Sequence, residues 1–464
     1  MLVKDKGFYK TFVTLTAMIA MQNLLAFGVN LADNIMLGRY SETSIAAASL
    51  VNQLQYLLQM VSVNGIGTGA LALVSQYWGK GETEPIRRII SLMMKFAAAT
   101  GLLFGAVTFL WPQAVICMMT NQPEIIEEGV IYLRLMSLTY ITFPLQSALV
   151  MSLRGVHTVK IGPIISAISL ITNVLLNYLF IYGRLGAPEL GIRGAAIATV
   201  TARVLELIIT FVYVRFIDKK LHLRLIDFFR PDSFYLRDFI KAALPVIGSA
   251  TSWGIGTIMQ TAILGHLTAT VIAANSIAVV VHQVISVYAS GATWSSSVMI
   301  GNVVGAGQTE LIRPYTRTLQ LLYIINGLAT ALILFLTRDL IIGFYILTPE
   351  TADLARTFIS VLCVTVLGTA YLFPVESGII LGGGNTRYAF FVDTAFIWLW
   401  VLPMSALSAF VFHFPPVVTF LLLKSDQFLK CLPNAITVNR YRWIRNLTRD
   451  IKDNPMPLQE IKKY

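Results

Sequence analysis

Asp33 is the residue of this chain whose type and place most plainly suggest chemistry. It lies in "NLADNIMLGRY", inside a long apolar stretch, and Asn23, Asn30, Asp33 and Asn34 recur there at helical spacing, so one face of that segment is polar. If the stretch crosses a bilayer, an ionisable group at mid-depth costs roughly 2.5–3.5 kcal/mol, which makes it a functional candidate. Apolar surroundings disfavour the charged form of a carboxylate, so Asp33 could carry a proton. The plainer alternative is an Asp capping a helix end near the surface. Asn173 and Asn177 stand four residues apart, on one face of a helix. With Thr199 they form either a second polar cluster or interhelical hydrogen-bond glue. Arg203 and Glu206, three apart, read as an intrahelical ion pair, with Glu206 as a proton carrier the lesser option. Glu376 and Asp393 are the carboxylates well inside apolar segments of the second half. They either couple to an ion or hold helices together.

A second set of residues suggests the walls of a cavity. Gln55, Gln59, Gln260 and His282 are polar groups in apolar segments, and Asn30 shares the Asp33 face. His282 has an imidazole that ordinarily titrates near neutrality. Trp253 and Trp294, with Trp398 and Trp400, are aromatic surfaces that could attract organic cations by cation–π contact or simply pack. Fifteen methionines offer adaptable apolar wall. His157, His222, His266 and His413 fall in or near loops and read as solvated.

The elements that must position these groups follow from composition. Of 464 residues, 56% are apolar and only 13% charged, and mean hydropathy is +0.70. Soluble domains carry about 25% charged residues. A water-soluble enzyme, a disordered chain and a fibrous protein are therefore excluded, and a polytopic all-α membrane protein fits. Apolar runs place twelve spans at 11–37, 45–77, 87–118, 125–152, 161–183, 190–216, 239–265, 271–304, 314–346, 350–381, 387–412 and 414–432. The last is short, and Lys424, Asp426 and Lys430 follow its apolar part. The run from Thr11 continues into a full span with no small-residue cleavage site, so it reads as a span and not a cleaved signal. With both termini cytoplasmic, inner segments hold 28 Lys/Arg and outer loops 5, which orients the chain N-in and C-in. The net charge of +11 is spread over the inner loops, which suits an anionic membrane surface better than nucleic acid. Cys117, Cys363 and Cys431 are far apart and read as small buried apolar residues.

The chain also repeats itself. "MLGRYSETSIAAASL" (Met36–Leu50) matches "ILGHLTATVIAANSI" (Ile263–Ile277) at an offset of 227. "GKGETEPIRR" matches "GAGQTELIRP" after a one-residue gap, and "LRGVHT" matches "LGGGNT" at an offset of 228. Each half holds six spans, an even number, so the halves enter the membrane the same way round, related by a pseudo-two-fold axis along its normal. The expected organisation is an N-lobe over 1–214, a linker over 215–238, a C-lobe over 239–435 and a basic cytoplasmic tail over 436–464. By this pairing Gln260 is the mate of Asp33, and Gln55 and Gln59 are the mates of His282 and Ser286. Two facing lobes imply transport by rocking about a central cavity. There is no Walker-A loop, HExxH or CxxC, so neither ATP hydrolysis nor a metalloenzyme is indicated and energy must come from an ion gradient or the membrane potential.

These motifs, in their order and spacing, resemble the multidrug and toxic compound extrusion (MATE) transporters over nearly the whole chain. The segments concerned are "ADNIMLGRYSETSIAAASL", "SQYWGKGE", "SLRGVHTVKIGP", "TNVLLNYLFIYG", "ELGIRGAAIATV", "IAANSIAV", "GNVVGAGQTE" and "GGGNTRYAFFVD". The resemblance implies that Asp33 is the N-lobe coupling carboxylate, with Asn173, Asn177 and Thr199 around it. The family places an Asp where Asn177 stands, so one carboxylate is missing, which favours H⁺ over Na⁺. Span seven, "GSATSWGIGTIMQ", lacks the acidic residue of the NorM branch, so the resemblance points to the DinF-like branch and Glu376 or Asp393 would have to replace that group. It implies no cofactor and no enzymatic step. The expected protein is a monomeric, multi-pass inner (plasma) membrane antiporter, exporting amphipathic, often cationic small molecules such as drugs or metabolites. The alternative is a flippase for a lipid or lipid-linked precursor.

Overall fold

The computed structural model describes residues 2–221, 223, 227, 233–345 and 347–449. Eleven helices among them are long and apolar enough to cross a membrane. In the first half these are α1 (Lys6–Tyr40), α2 (Glu42–Lys80), α3 (Thr83–Leu110), α4 (Pro123–Gly155), α5 (Ile161–Tyr182) and α6 (Ile192–Ile217). The second half has α7 (Ser233–Gly265), α8 (Ala269–Gly305), α9 (Thr309–Gly343), α10 (Pro349–Ile380) and α11 (Thr386–Val411). The twelfth segment is a helix broken twice, into α12 (Pro416–Leu423), α13 (Asp426–Leu429) and α14 (Cys431–Arg440). Lys424 (φ −104°, ψ 2°) and Lys430 stand at the two joints, and the backbone at Lys430 stays helical (φ −69°, ψ −21°). The helices thus extend the expected spans by a few residues at most ends.

The internal repeat is visible in local chemistry. Ser41 caps α2 by accepting a hydrogen bond from the Ser44 N–H, and Thr268 caps α8 by accepting from the Val271 N–H. Donor and acceptor are each 227 residues from their mates, as in the sequence match. At the other ends of these helices Gly81 (φ +79°) and Gly307 (φ +70°) adopt the left-handed conformation that only glycine takes cheaply.

The two lobes meet in the same symmetric fashion. A Cβ at Gly79 would stand 2.1 Å from the Asn302 carbonyl oxygen, and one at Gly305 would stand 1.8 Å from that of Gln76. Gln76 and Asn302 are repeat mates, as are Gly79 and Gly305, so α2 and α8 touch at backbone level about the pseudo-axis. Thr16 of α1 shares a 2.8 Å hydrogen bond with Ser295 of α8, mirrored by the approach of Gly69 on α2 to Ala243 on α7. These contacts lie on the Lys/Arg-rich side.

Below them runs a strap formed by Tyr441–Arg449. The Arg445 N–H donates to the Gly383 carbonyl at 2.8 Å, and the Leu447 N–H donates to Gln76 Oε1 at 2.7 Å. Lys80 Nζ donates to the Arg449 carbonyl at 2.7 Å, and Arg449 pairs with Asp238 at 2.5 Å. Burial of Trp443 is complete, and its ring fills the space a side chain at Gly383 would need. The sequence reading takes 436–464 as a tail; its described part is instead a helix end and a seated strap that touches both lobes. Residues from 450 on, and His222 with residues 224–226 and 228–232 of the linker, lie outside the described residues.

Two expectations are corrected. Cys117 is exposed, not buried, while Cys363 is buried and Cys431 partly so. His157 is not solvated: it turns inward with φ +59° and its Nε2 meets Asn302 Nδ2 of the other lobe. Its proximity to Lys220 comes second to burial in holding the imidazole down to about 4.

Candidate ion-coupling site and central cleft

In the N-lobe, three helices converge on Asp33, which is only 6% exposed. It sits two turns inside α1 and caps nothing. Asn177 of α5 donates Nδ2–H to Asp33 Oδ1 at 2.5 Å, and the Thr199 hydroxyl of α6 donates to Asp33 Oδ2 at 3.2 Å. Asn177 Nδ2 also reaches Asn173 Oδ1 at 3.1 Å, and Asn173 Nδ2 reaches Thr199 Oγ1 at 3.2 Å. The four residues therefore form one closed ring of hydrogen bonds, as the spacing of Asn173 and Asn177 on one helix face allows. Arg203 acts on Asp33 electrostatically but is paired with Glu206 at 2.9 Å. Among the described residues, the hydrogen bonds to Asp33 come from neutral donors. Asn177 Oδ1 is buried with no hydrogen-bond partner among the described residues.

The Asn residues of α1 do not share the face of Asp33. Thr16, Asn23 and Asn30 recur every seven residues, a stripe some 60–100° around the helix from Asp33. Thr16 on that stripe touches α8, so Asn23 and the exposed Asn30 above it face the opposite lobe. On α2 the residues Ser49, Asn52, Gln53, Tyr56 and Gln59 form a comparable polar stripe, and Tyr56 reaches Thr257 of α7 by a side-chain hydrogen bond. Asn30 and Gln59 are exposed, and Gln55 and Gln260 half-buried. Gln55 Oε1 is buried and unpartnered among the described residues.

One of the expected aromatic walls is corrected: Trp294 is 8% exposed and packs in the seam between the lobes. Its indole N–H donates to Thr68 at 3.4 Å, and the Arg154 guanidinium stands 4.4 Å over its ring, so its π-face already holds the protein's own cation. Trp253 packs within the C-lobe against Phe373. The half-buried His282 hydrogen-bonds Ser286 one turn on, and its Nε2 is buried and unpartnered among the described residues.

In the C-lobe, Glu376 and Asp393 belong to one cluster, with partners the sequence does not reveal. Glu376 is 3% exposed and lies in a wide-turn (π) stretch, Pro374–Ile380, that begins at a proline. The missing Pro N–H loosens the helix there. Asn434 of α14 donates to Glu376 Oε2 at 3.0 Å, and the Ser249 hydroxyl donates to Asp393 Oδ2 at 2.5 Å. Lys430 is 1% exposed and reaches Asp393 Oδ1 at 2.8 Å and Asp426 Oδ2 at 3.2 Å. A signal for Lys430 existed in the charged residues that follow the last apolar run, but nothing in the sequence said that they fold back.

Comparison with known proteins now decides the family. The MatE family model matches the chain twice, over residues 19–179 and 245–407. The chain belongs to the MatE family. Each match covers one lobe, as the internal repeat requires. Among curated relatives, the probable multidrug resistance protein NorM of Thermotoga maritima is 23% identical over 83% of this chain and 82% of its own length. The multidrug resistance protein MdtK of Pectobacterium atrosepticum is 23% identical over 84% and 85%. A MOP superfamily transporter from Pyrococcus furiosus superposes with a TM-score of 0.84 at 16% identity, covering 97% of this chain and all of that one. A MATE crystal structure in complex with MaD3S gives 0.82 at 16% identity over 95% and 99%. This MatE protein is accordingly a multi-pass inner-membrane transporter, not an enzyme, and its fold is the two-lobed one.

Proposed function

We propose that this transporter is a secondary efflux antiporter that expels amphipathic, often cationic small molecules in exchange for protons. The observation that carries the reading is Asp33: a buried carboxyl held by Asn177 and Thr199, with no cation paired to it. The names of its NorM and MdtK relatives support the drug-like substrate class. A single carboxylate with three neutral neighbours balances one proton and is a poor match for a metal cation, which seeks several charged or carbonyl oxygens.

The ring of hydrogen bonds gives the proton a structural consequence. As a carboxylate, Asp33 accepts from both Asn177 and Thr199. Once protonated it must donate at one oxygen, and the unpartnered Asn177 Oδ1 is the acceptor at hand if the amide turns over. That turn withdraws Asn177 Nδ2 from Asn173, so one proton repacks α1, α5 and α6 together. Proton entry from outside would then release substrate outward, and deprotonation to the cytoplasm would reset the lobes, which rock about the α2–α8 contact as a monomer.

The test uses purified protein in liposomes loaded with ethidium, with proton and sodium gradients imposed separately. Proton-driven flux that Asp33→Asn abolishes is the expected result. Flux surviving in Asp33→Asn, or driven by sodium, overturns the assignment; no flux under either gradient redirects the question to lipid translocation.

A further inference from the structure

The C-lobe cluster holds three carboxyl groups and, unlike the N-lobe ring, its own cation. We propose that the Lys430 ammonium is a tethered cation that fills this cluster, so that the C-lobe exchanges protons and is closed to sodium. Lys430 is thereby a specificity-determining residue for the coupling ion. The proposal deepens the ion-coupled reading above and rests on it.

The argument is a count of charges and donors. Glu376, Asp393 and Asp426 supply the negative groups, and Lys430 lies between the last two at 2.8 and 3.2 Å. Lys424, one turn before, acts electrostatically on Asp426 from the other side. Glu376 acts electrostatically on both Asp393 and Lys430. Three carboxyls are then faced by two lysines, and the one negative charge left over suits a single proton. Donors give the same answer. Glu376 Oε1 and Asn434 Oδ1 are both buried acceptors with no partner among the described residues, and Glu376 and Asn434 are 3% and 0% exposed. A proton on Glu376 provides the missing donor, whereas a sodium ion at this place would sit against an ammonium and be repelled. The Lys430 backbone is helical (φ −69°, ψ −21°), and its carbonyl also accepts from Asn434 Nδ2 at 3.0 Å, so Lys430 and Asn434, four residues apart, share one face of the twelfth segment.

The experiment measures ion binding and not transport, so a failure of dye efflux bears on the proposed function alone. Full-length protein carrying Asp33→Asn, which silences the N-lobe site, is unfolded thermally in sodium chloride against choline chloride at constant ionic strength. With Lys430 present, Tm is expected to be indifferent to sodium. With Lys430→Met added, sodium or lithium is expected to raise Tm saturably, because the vacated place between Asp393 and Asp426 takes an alkali cation. Lys430→Arg should behave like the parent. A saturable sodium shift with Lys430 in place overturns the proposal, as does a monodisperse Lys430→Met protein that ignores sodium. Should Lys430→Met fail to fold, Lys430→Gln carries the same measurement.

Discussion

The two lobes descend from one repeated plan, yet their buried carboxylates solve opposite problems. Asp33 of the N-lobe is held by neutral hydrogen-bond donors from α5 and α6. Glu376 and Asp393 of the C-lobe are held by an ammonium from the broken twelfth span. The positions do not correspond: the mate of Asp33 is Gln260, and at the offset of 228 the mate of Glu376 is Ala148. A shared backbone thus fixes where helices cross, and side chains decide separately in each half whether neutral donors or a tethered cation surround the carboxyl groups. A neutral ring pays little when its carboxyl changes charge, whereas an ion-paired cluster loses a partner.

The contrast can be broken at its centre. Asp33→Asn should lower proton-driven efflux about 100-fold or more, equivalent to about 2.7 kcal/mol, while leaving thermal stability nearly unchanged, since amide and acid fill the same space. Lys430→Met should do the converse in sodium-free buffer. It leaves Asp393 and Asp426 buried without their cation, and loss of one partner of a buried pair costs about 3–5 kcal/mol, read as a drop in Tm. Equal stability loss in both variants would erase the distinction between the lobes.

The contact between the lobes offers two smaller tests. Deleting the chain from Tyr441 removes the strap that joins Gln76 and Lys80 of one lobe to Asp238 and Gly383 of the other. A cysteine placed at Ser75, which is buried against Gly301 of the other lobe, should then label several-fold faster from the basic face; unchanged labelling would make the strap a passenger. The smallest effect concerns His157, whose imidazole is held at about 4 when it faces Asn302 and titrates near 6.5 when freed. The neutral ring therefore favours closure fully above about pH 6.5, and that contribution is lost as pH falls from there toward about 4. The same labelling, repeated from pH 7.5 to 5, should rise on acidification in the parent protein and stay flat in His157→Gln.

Much of the N-lobe ring was legible because its residues announce themselves singly. An Asp and two Asn in apolar helices are costly unless they meet, and Asn173 and Asn177 share a face by helical spacing alone. The C-lobe was half-legible: Glu376 and Asp393 stood out, but Lys430 and Asn434 lie beyond a short apolar run where charge reads as the end of a span. Trp294 misled for a related reason. An indole in a span can face a cavity or a seam, and only the packing of Arg154 and Thr68 around it chose the seam.

Length, apolar runs, the Lys/Arg asymmetry and the repeat determined by themselves that this chain crosses the membrane about a dozen times in two parallel lobes, because burial of backbone in lipid leaves helices as the workable solution. What the tertiary structure alone decided is which polar groups meet. The twelfth segment's packing, the seating of the strap and the inward turn of His157 depend on contacts between residues 37 to 371 positions apart, and no local pattern records a partner at that distance.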